Sequence, residues 1–414
     1  MSLYQALTLR LSIAAQYGVD TLLRLTRKGM HDRHPPRVLL VRLDGIGDFV
    51  LWLDAARAIG NYYKAQGKSV IFVANLQWAD WAKSLGVFDE VVALDRRRFA
   101  GNLLYRWRFG RQVRMMGCSI AVNPTFSREW LFGDAIVRVS GAGERIGSTG
   151  DLSNITSWQR RVSDRGYSRL VSADPAPSTE LVRNAEFVRG LGDSGYLAKV
   201  ADLHSMSTLT SDEAFVAAIG GSAQRYYVFF PGSAWSGKRW PLASFAQLAD
   251  QVCRQTGWRG VVCGGAEDIE LAKNLCSQST APLLNWAGRT SLGQLAAILS
   301  GSELLVANDT SATHIAAACG VPSVCILGGG HYGRFLPYQV ELMDERPLPR
   351  VVSHQMPCFG CGWQCIYETP DGHPHPCIDH VTVAAVWSEV GRILEPILSR
   401  GRSEPNAHSM QCNW

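Results

Sequence analysis

Short apolar runs alternate with longer amphipathic segments from residue 37 onward. Strands are predicted at Val38–Leu43, Val70–Ala74, Val91–Leu94 and Ser119–Val122, and helices at Leu51–Lys64 and near Trp78–Leu85. Such a β-α-β series is typical of a parallel sheet covered by helices on both faces. The pattern weakens between about Glu144 and Asp212, where Leu181–Leu191 is the one clear helix.

A second series of the same kind begins at Tyr226. Its predicted strands are Tyr226–Phe230, Gly260–Cys263, Leu304–Ala307 and Ser323–Leu327, and its predicted helices are Pro241–Thr256, Glu267–Cys276, Leu292–Leu299 and Ala312–Cys319. Two such series in tandem predict an α/β protein with two Rossmann-like domains and a ligand cleft between them.

The pattern divides the chain into five segments. They are an N-terminal helical extension at 1–36, a first Rossmann-like domain at 37–212, a second at 213–345, a cysteine-rich segment at 346–380, and a C-terminal helix and tail at 381–414. The last predicted helix is Val383–Leu398, and we expect the polar tail after it to be mobile.

The N-terminal extension carries leucines at near-helical spacing, with Arg10, Arg24, Arg27 and Lys28 between them. This pattern predicts one or two basic amphipathic helices. We expect them to dock on the body of the protein or on a second copy, which would give a homo-oligomer. Binding to a membrane surface is less favoured, because helices of soluble proteins also carry one apolar stripe.

Composition narrows the choice of partner and compartment. The 414 residues are 46% hydrophobic and 19% charged, as in folded proteins, and 41 Lys and Arg against 36 Asp and Glu leave a net charge of +5. That mild charge gives no reason to expect nucleic acid as a partner. Arg10, Asp20 and Arg24 interrupt the early apolar run, so neither a signal peptide nor a spanning helix is predicted, and we expect a cytoplasmic protein.

The loop after the first predicted strand is a candidate site, because ligands of open α/β sheets bind at the carboxyl ends of strands. It reads Asp44-Gly45-Ile46-Gly47-Asp48, but the third glycine of a dinucleotide fingerprint is absent, which disfavours a nicotinamide cofactor. Asp48 could cap the following helix, or it could face the cleft and accept a proton from a hydroxyl.

The loop Pro231–Pro241 follows the first strand of the second series and reads P-G-S-A-W-S-G-K-R-W-P. Its backbone amides, together with Lys238 and Arg239, suit a phosphate, although the loop is not a Walker A motif. A solvated basic loop is an equally good interpretation of this segment taken alone.

A third loop, Ala307–His314, lies between a strand end and a helix N-terminus. Its amides and the positive end of the helix would hold a diphosphate, with Thr310 and Ser311 as hydroxyl donors. Taken alone, Asp309 or Thr310 would more simply be a helix N-cap, and His314 a structural residue. Three such loops on two domains together favour a bound anionic ligand.

In this order the segments resemble glycosyltransferase family nine, the heptosyltransferase family. The resemblance rests on the glycine-aspartate turn, on the P-G-S…K-R-W-P loop, and on Gly264–Asp268 (G-G-A-E-D), Trp286–Leu292 (W-A-G-R-T-S-L) and Asn308–Pro322 (N-D-T-S-A-T-H-I-A-A-A-C-G-V-P). It covers roughly residues 37 to 395. It implies a GT-B fold, with an acceptor domain followed by a nucleotide-sugar domain. It also implies inverting transfer from a nucleotide-activated sugar, typically ADP-heptose, without a catalytic metal.

The resemblance also assigns roles by position. It implies that Asp48 is the general base. The implied nucleotide-sugar contacts are Lys238 to the diphosphate, Glu267 to the ribose, and Asp309, Thr310, Ser311 and His314. Members that build the lipopolysaccharide core usually have small hydroxyl residues where this chain has Asp44-Gly45, so the acceptor stays open between a glycan and a protein.

Four of the 11 cysteines lie close together, as Cys358-x2-Cys361-x3-Cys365-x11-Cys377. Four thiolates at this spacing predict a closed structural metal site that binds zinc or iron, with His373 and His375 as rival ligands. The resemblance extends to autotransporter heptosyltransferases, which have a four-cysteine metal finger and a protein acceptor. We expect the finger to be structural, or to form part of an oligomer or acceptor surface.

Three functions stay open at this point. The first is a heptosyltransferase-like enzyme, the second is a sugar-nucleotide epimerase of the same fold that needs no separate acceptor, and the third is a non-catalytic metal-finger scaffold. The order of the motifs argues against the epimerase. The presence of Asp48, Lys238 and Asp309 argues against the scaffold.

Overall fold

The computed structural model describes residues 3–26, 35–206, 209, 212–342 and 345–402, without the side chains of residues 3–10 and 400–402. The chain divides into two compact units, which are Met1–Thr208 with Gln339–Asp344 (unit 1) and Leu209–Tyr338 with Glu345–Trp414 (unit 2). Most of the predicted polar tail, and residues 27–34 of the N-terminal extension, lie outside the described residues.

Unit 1 is built on one parallel sheet. Its strands are β1 (Arg37–Arg42), β2 (Ser69–Asn75), β3 (Glu90–Leu94), β4 (Ile120–Asn123), β5 (Glu144–Ser148) and β6 (Arg169–Val171), in the order β3-β2-β1-β4-β5-β6. Its helices are α1 (Leu3–Leu23), α2 (Ile46–Lys64), α3 (Ala79–Ser84), α4 (Arg96–Gly101), α5 (Leu103–Met115), α6 (Gly133–Val139), α7 (Ser157–Asp164) and α8 (Glu180–Leu191). The parallel βα series predicted here is confirmed.

The central strand of unit 1 is a continuous apolar run because helices cover both faces of the sheet. Val38 of β1 pairs in register with Val70 of β2 and Ile120 of β4. On one face, Phe49 of α2 stacks on Trp78 with ring centroids 4.2 Å apart. This packing holds the N-terminus of α2 just beyond the carboxyl end of β1.

Helix α1 packs on α5 and α6 within unit 1. Asp20 of α1 is 1% exposed, and Arg106 of α5 and Arg138 of α6 each donate to its carboxylate at 2.7 Å. Removing one partner of such a buried ion pair typically costs about 3 to 5 kcal/mol, because the other charge is left unpaired. A specific polar cluster therefore fixes α1 to this unit.

Unit 2 repeats the architecture. Its strands are β7 (Tyr226–Phe230), β8 (Arg259–Val262), β9 (Leu283–Asn285), β10 (Leu305–Asn308), β11 (Ser323–Ile326) and β12 (Arg350–Val352), all parallel, in the order β12-β11-β10-β7-β8-β9. Its helices are α9 (Glu213–Ile219), α10 (Leu242–Thr256), α11 (Ile269–Gln278), α12 (Leu292–Ser300), α13 (Ser311–Ala318), α14 (Pro376–Asp379) and α15 (Val383–Arg402). Single 3-10 turns lie at Ser236–Lys238, Ala266–Asp268 and Gly329–His331.

The core of unit 2 joins the sheet to the C-terminal helix α15. Tyr227 and Phe229 of β7 pack with Trp240, with α10, and with Val386 and Val390 of α15 in one buried cluster.

None of the helices in the described part of the chain is both long enough and apolar enough to cross a membrane.

Candidate functional site

The loop between β1 and α2 is held by hydrogen bonds to its backbone. Asn75 donates to the carbonyls of Leu43 at 3.1 Å and Asp44 at 3.2 Å, and the Trp78 indole donates to the Asp44 carbonyl at 3.1 Å. Arg96 donates to the Leu43 carbonyl at 2.6 Å. Asn75 ends β2, Trp78 lies just before α3, and Arg96 begins α4, so the segments that follow β2 and β3 fix the conformation of this loop.

Asp48 lies in the first turn of α2, and its Oδ2 accepts a hydrogen bond from the Gly45 amide at 3.2 Å. The helix-capping role considered from the sequence is therefore present. A carboxylate in this position is also stabilised by the positive end of the helix. The role of Asp48 as a general base stays a prediction.

A buried network of ion pairs and hydrogen bonds, centred on Arg42 at the end of β1, supports the same loop. The guanidinium of Arg42, which is fully buried, donates to Asp44 at 2.8 Å, to Glu180 of α8 at 2.8 Å and to Asn184 at 2.9 Å. Burial raises the pKa of Asp44 to about 8 against the opposing effect of Arg42, and the charge of Asp48 adds to the rise. Two carboxyl groups with different environments therefore lie at the end of β1.

In unit 2, two of the predicted loops meet. Nζ of Lys238 lies 2.7 Å from Oδ2 of Asp309, and both side chains are largely buried. The buried Asn308 ties the loops together, because it accepts from the Trp240 amide at 3.0 Å and donates to the Pro231 carbonyl at 2.7 Å. The cation Lys238 therefore lies beside Asp309, two residues before the first residue of α13.

Helix α13 begins directly after this pair. Thr310 occupies its N-cap position in an extended conformation, with φ −142°, but its side chain makes no capping hydrogen bond. The Thr310 hydroxyl is buried and has no hydrogen-bond partner among the described residues, and Ser311 is the first helical residue. The first amides of the helix and this hydroxyl are suited to an anion beside Lys238.

His314 lies one turn into α13 and is 4% exposed. Its Nδ1 is 2.7 Å from the Tyr338 hydroxyl, and the two rings stack with centroids 5.8 Å apart. Burial lowers the pKa of His314 to about 4, so the imidazole is neutral at pH 7. This environment fits a neutral hydrogen-bonding group that fixes α13.

The buried His314 should make the stability of the protein depend on pH. An unfolded chain binds a proton at this side chain near pH 6.5, whereas the folded chain binds it only near pH 4. Stability from this group is therefore complete above about pH 6.5 and falls as the pH drops toward 4, by about 3 kcal/mol in total.

The measurement is urea unfolding of the wild type and His314→Gln at about pH 7 and about pH 4.5. Gln cannot titrate in this range, so the wild type should lose more stability than the variant on acidification. Equal losses in the two proteins would show that His314 is not the titrating group.

Glu267 lies in the turn Ala266–Asp268 after β8 and is exposed. Its neighbour Asp268 is buried and accepts from the Gly265 amide at 3.0 Å. A Cβ added to Gly232 would lie 2.3 Å from the Asp268 carboxylate, so only glycine fits there. Asp268 thus joins the G-G-A-E-D segment to the P-G-S loop, a role that the sequence analysis missed.

The four clustered cysteines belong to the cysteine segment, residues 358–377, which lies between β12 and α15. Burial raises the pKa of Cys377, and the charges of Cys358, Cys361 and Cys365 raise it further, so the four thiols share one neighbourhood. None of the four forms a disulfide with another cysteine of the described residues. Among the described residues, no three His, Cys, Asp or Glu side chains are grouped closely enough to hold a metal ion.

The two rival histidines make other contacts. The His375 ring is 3.0 Å from the Thr369 hydroxyl, and the His373 ring is 3.2 Å from the Asp371 carbonyl. The His375 amide also donates to the Gly237 carbonyl at 2.9 Å. This last bond joins the cysteine segment to the loop that carries Lys238, a connection that the sequence did not reveal.

The family model of glycosyltransferase family 9 (heptosyltransferase) matches residues 139–350, just over half of the chain. The chain belongs to this family. The match includes Lys238, Glu267 and α13. It does not favour the epimerase or the non-catalytic scaffold that were considered as alternatives.

Among characterised relatives, the chain is 36% identical to lipopolysaccharide heptosyltransferase 1 of Pseudomonas aeruginosa over 133 residues. The aligned part is 30% of this chain and 35% of that protein. The chain thus spans about a third of the length of the curated relatives it matches.

Two solved structures are similar over most of the chain. A family 9 glycosyltransferase from Veillonella parvula DSM 2008 has a TM-score of 0.65 over 90% of this chain and all of its own, at 17% identity. The iron-containing dodecameric glycosyltransferase TibC from enterotoxigenic E. coli H10407 has a TM-score of 0.51 over 89% of this chain and 78% of its own, at 12% identity. TibC is also known in complex with ADP-D-β-D-heptose. At these identities the similarity establishes a shared fold.

Proposed function

We propose that the protein is an inverting glycosyltransferase that moves a heptose from ADP-heptose to an acceptor hydroxyl. The observation that carries this proposal is the Lys238–Asp309 pair at the N-terminus of α13, inside the region that matches the family. The complex of TibC with ADP-D-β-D-heptose supports the choice of sugar nucleotide.

The diphosphate is the part of the ligand that unit 2 is suited to bind. Lys238 supplies the positive charge, and the first amides of α13 with the hydroxyls of Thr310 and Ser311 supply hydrogen bonds. Glu267, which is exposed and directly precedes Asp268, would accept hydrogen bonds from the ribose hydroxyls. His314 supports the site from within α13 as a neutral group.

Transfer then needs one displacement. Asp48 takes the proton of the acceptor hydroxyl, and the oxygen attacks the anomeric carbon on the face opposite the diphosphate. The bond between that carbon and the diphosphate breaks, so the configuration inverts. Lys238 and the N-terminus of α13 stabilise the negative charge of the departing ADP, so the reaction requires no catalytic metal.

The four cysteines would hold one structural metal ion, iron or zinc. A set of four thiols suits either ion. The four thiols lie in one neighbourhood around Cys377 but are not grouped closely enough to bind an ion, so metal binding would draw them together. TibC is iron-containing and dodecameric, which supports iron and a homo-oligomer formed through α1 or the cysteine segment. A closed thiolate site would contribute to folding and not to chemistry.

The acceptor is a protein, such as an autotransporter, or a glycan. Asp44 differs from the small hydroxyl residues of lipopolysaccharide-core members, and Arg42 donates a hydrogen bond to its carboxyl group at the end of β1. A reaction with labelled ADP-heptose and two acceptor pools, lysate proteins and lipopolysaccharide, separates the two classes by where the label is found.

Lys238→Ala should weaken ADP binding by about 10- to 100-fold, since a charge-assisted hydrogen bond to phosphate is lost. Calorimetry with ADP and with adenosine tests this, because adenosine carries no phosphate and should bind both proteins alike. Lys273→Ala is the matched control, since Lys273 is 70% exposed and pairs only loosely with Glu270 at 3.7 Å. Equal losses for ADP and adenosine would count against a phosphate role for Lys238.

A further inference from the structure

Trp363 has an unusual backbone conformation. Among the described residues it is the only non-glycine residue with a positive φ, at 65°. A bulky side chain adopts this region at a cost in free energy, and such residues persist where the surroundings fix them for a purpose. Trp363 lies between Cys361 and Cys365 in the sequence, and its ring contacts Lys238.

The Trp363 ring packs against the backbone of glycine residues. A Cβ added to Gly330 would lie 2.3 Å from the Trp363 ring, so no side chain is tolerated there. The Gly360 amide donates to the Gly329 carbonyl at 2.8 Å, and the Gly362 amide donates to the Gly330 carbonyl at 3.0 Å. Two backbone hydrogen bonds directly before Trp363 therefore fix the segment that carries the ring, and Gly330 leaves room for the ring.

The Trp363 ring contacts Lys238, the cation of the proposed nucleotide site. Nζ of Lys238 lies 5.0 Å from the ring centroid, within the range of a cation–π interaction. The Trp235 ring meets Trp363 edge-on at 5.5 Å, and the His375 ring stacks with it at 6.2 Å. The Lys238 ammonium thus lies between an aromatic face and the Asp309 carboxylate.

We propose that Trp363 is a positioning residue for Lys238 in diphosphate binding, so that the cysteine segment is a working part of the nucleotide site. This inference rests on the proposed function. Asp309 and a diphosphate compete for the same ammonium, because both are anions. The aromatic face attracts the ammonium without neutralising it, and therefore keeps Lys238 in place when the diphosphate takes over from Asp309.

Substitutions of Trp363 should affect ADP in a graded way. We expect Trp363→Leu to weaken ADP binding about tenfold and Trp363→Phe about threefold, because Phe keeps a weaker π face. Adenosine binding and the thermal midpoint should change little in Trp363→Phe. Tyr367→Leu is the control within the same segment, since Tyr367 is 38% exposed, and it should bind ADP like the wild type.

A double-mutant cycle separates positioning from a general effect on the segment. In a Lys238→Met background, adding Trp363→Leu should not weaken ADP binding any further. The proposal is overturned if Trp363→Leu costs the same factor with and without Lys238, if adenosine weakens as much as ADP, or if Phe is as poor as Leu. If the wild type binds no ADP at all, the proposed function fails first; normal ADP binding by Trp363→Leu overturns only the role of Trp363.

Discussion

Asp48→Asn should lower the rate of heptose transfer by about 10² to 10⁴ while ADP binding is kept, since that is the usual contribution of a positioned general base. The substitution is well suited to the site. The Asn side-chain oxygen can still accept the hydrogen bond from the Gly45 amide, which the carboxylate accepts at 3.2 Å. The helix cap is therefore retained and only the basicity is removed. Steady-state rates with ADP-heptose, together with ADP calorimetry, measure both effects.

The matched control is Asp95→Asn. Asp95 is the N-cap of α4 in the same unit and accepts from the Arg98 amide at 3.0 Å, so it shares the capping role without a predicted catalytic one. Its transfer rate should stay close to that of the wild type. If Asp48→Asn and Asp95→Asn behave alike, capping is the whole role of Asp48.

Purified protein should contain about one equivalent of iron or zinc, and Cys361→Ser should lose it together with much of the stability of unit 2. The reason is that the binding free energy of a closed thiolate site is also folding free energy. Elemental analysis gives the metal content, and thermal unfolding gives the stability. Through Trp363, the loss of metal should also weaken ADP binding.

Cys276→Ser serves as the control for this experiment. Cys276 is a half-buried free thiol of α11, outside the cysteine segment, and its substitution should leave the metal content unchanged. Metal-free wild-type protein with four reactive thiols and full stability would rule out the metal site.

The sequence predicted the main strands because buried parallel strands are apolar over their whole length. The first was expected at Val38–Leu43 and lies at Arg37–Arg42. Four strands were missed. The strand β5, Glu144–Ser148, mixes charged and small residues with a single isoleucine, and the edge strands β6, β9 and β12 have three residues each, so none of them produces a pattern. The edge strands pair because the neighbouring strand offers a free edge, and that is a property of the assembled sheet.

The candidate site was likewise predicted in part. Loops that follow strands were predicted to carry ligands, and the structure brings Lys238 and Asp309 together as that rule implies. The partners of Arg42 could not be predicted, because Glu180 and Asn184 lie 138 and 142 residues away in sequence. The cysteine spacing indicated a metal, but nothing in the spacing indicated that Trp363 would reach Lys238.

The central claim is that this chain transfers heptose from ADP-heptose with inversion. The most direct measurement is incubation of purified protein with ADP-heptose, and in parallel with other nucleotide sugars, in the presence of lysate proteins or lipopolysaccharide. Mass spectrometry then identifies the modified acceptor, and NMR gives the anomeric configuration of the new bond. We predict that heptose is transferred from ADP-heptose with inverted configuration and stoichiometric release of ADP. Turnover of a different nucleotide sugar alone, retained configuration, or epimerisation of the sugar nucleotide without transfer would contradict the claim.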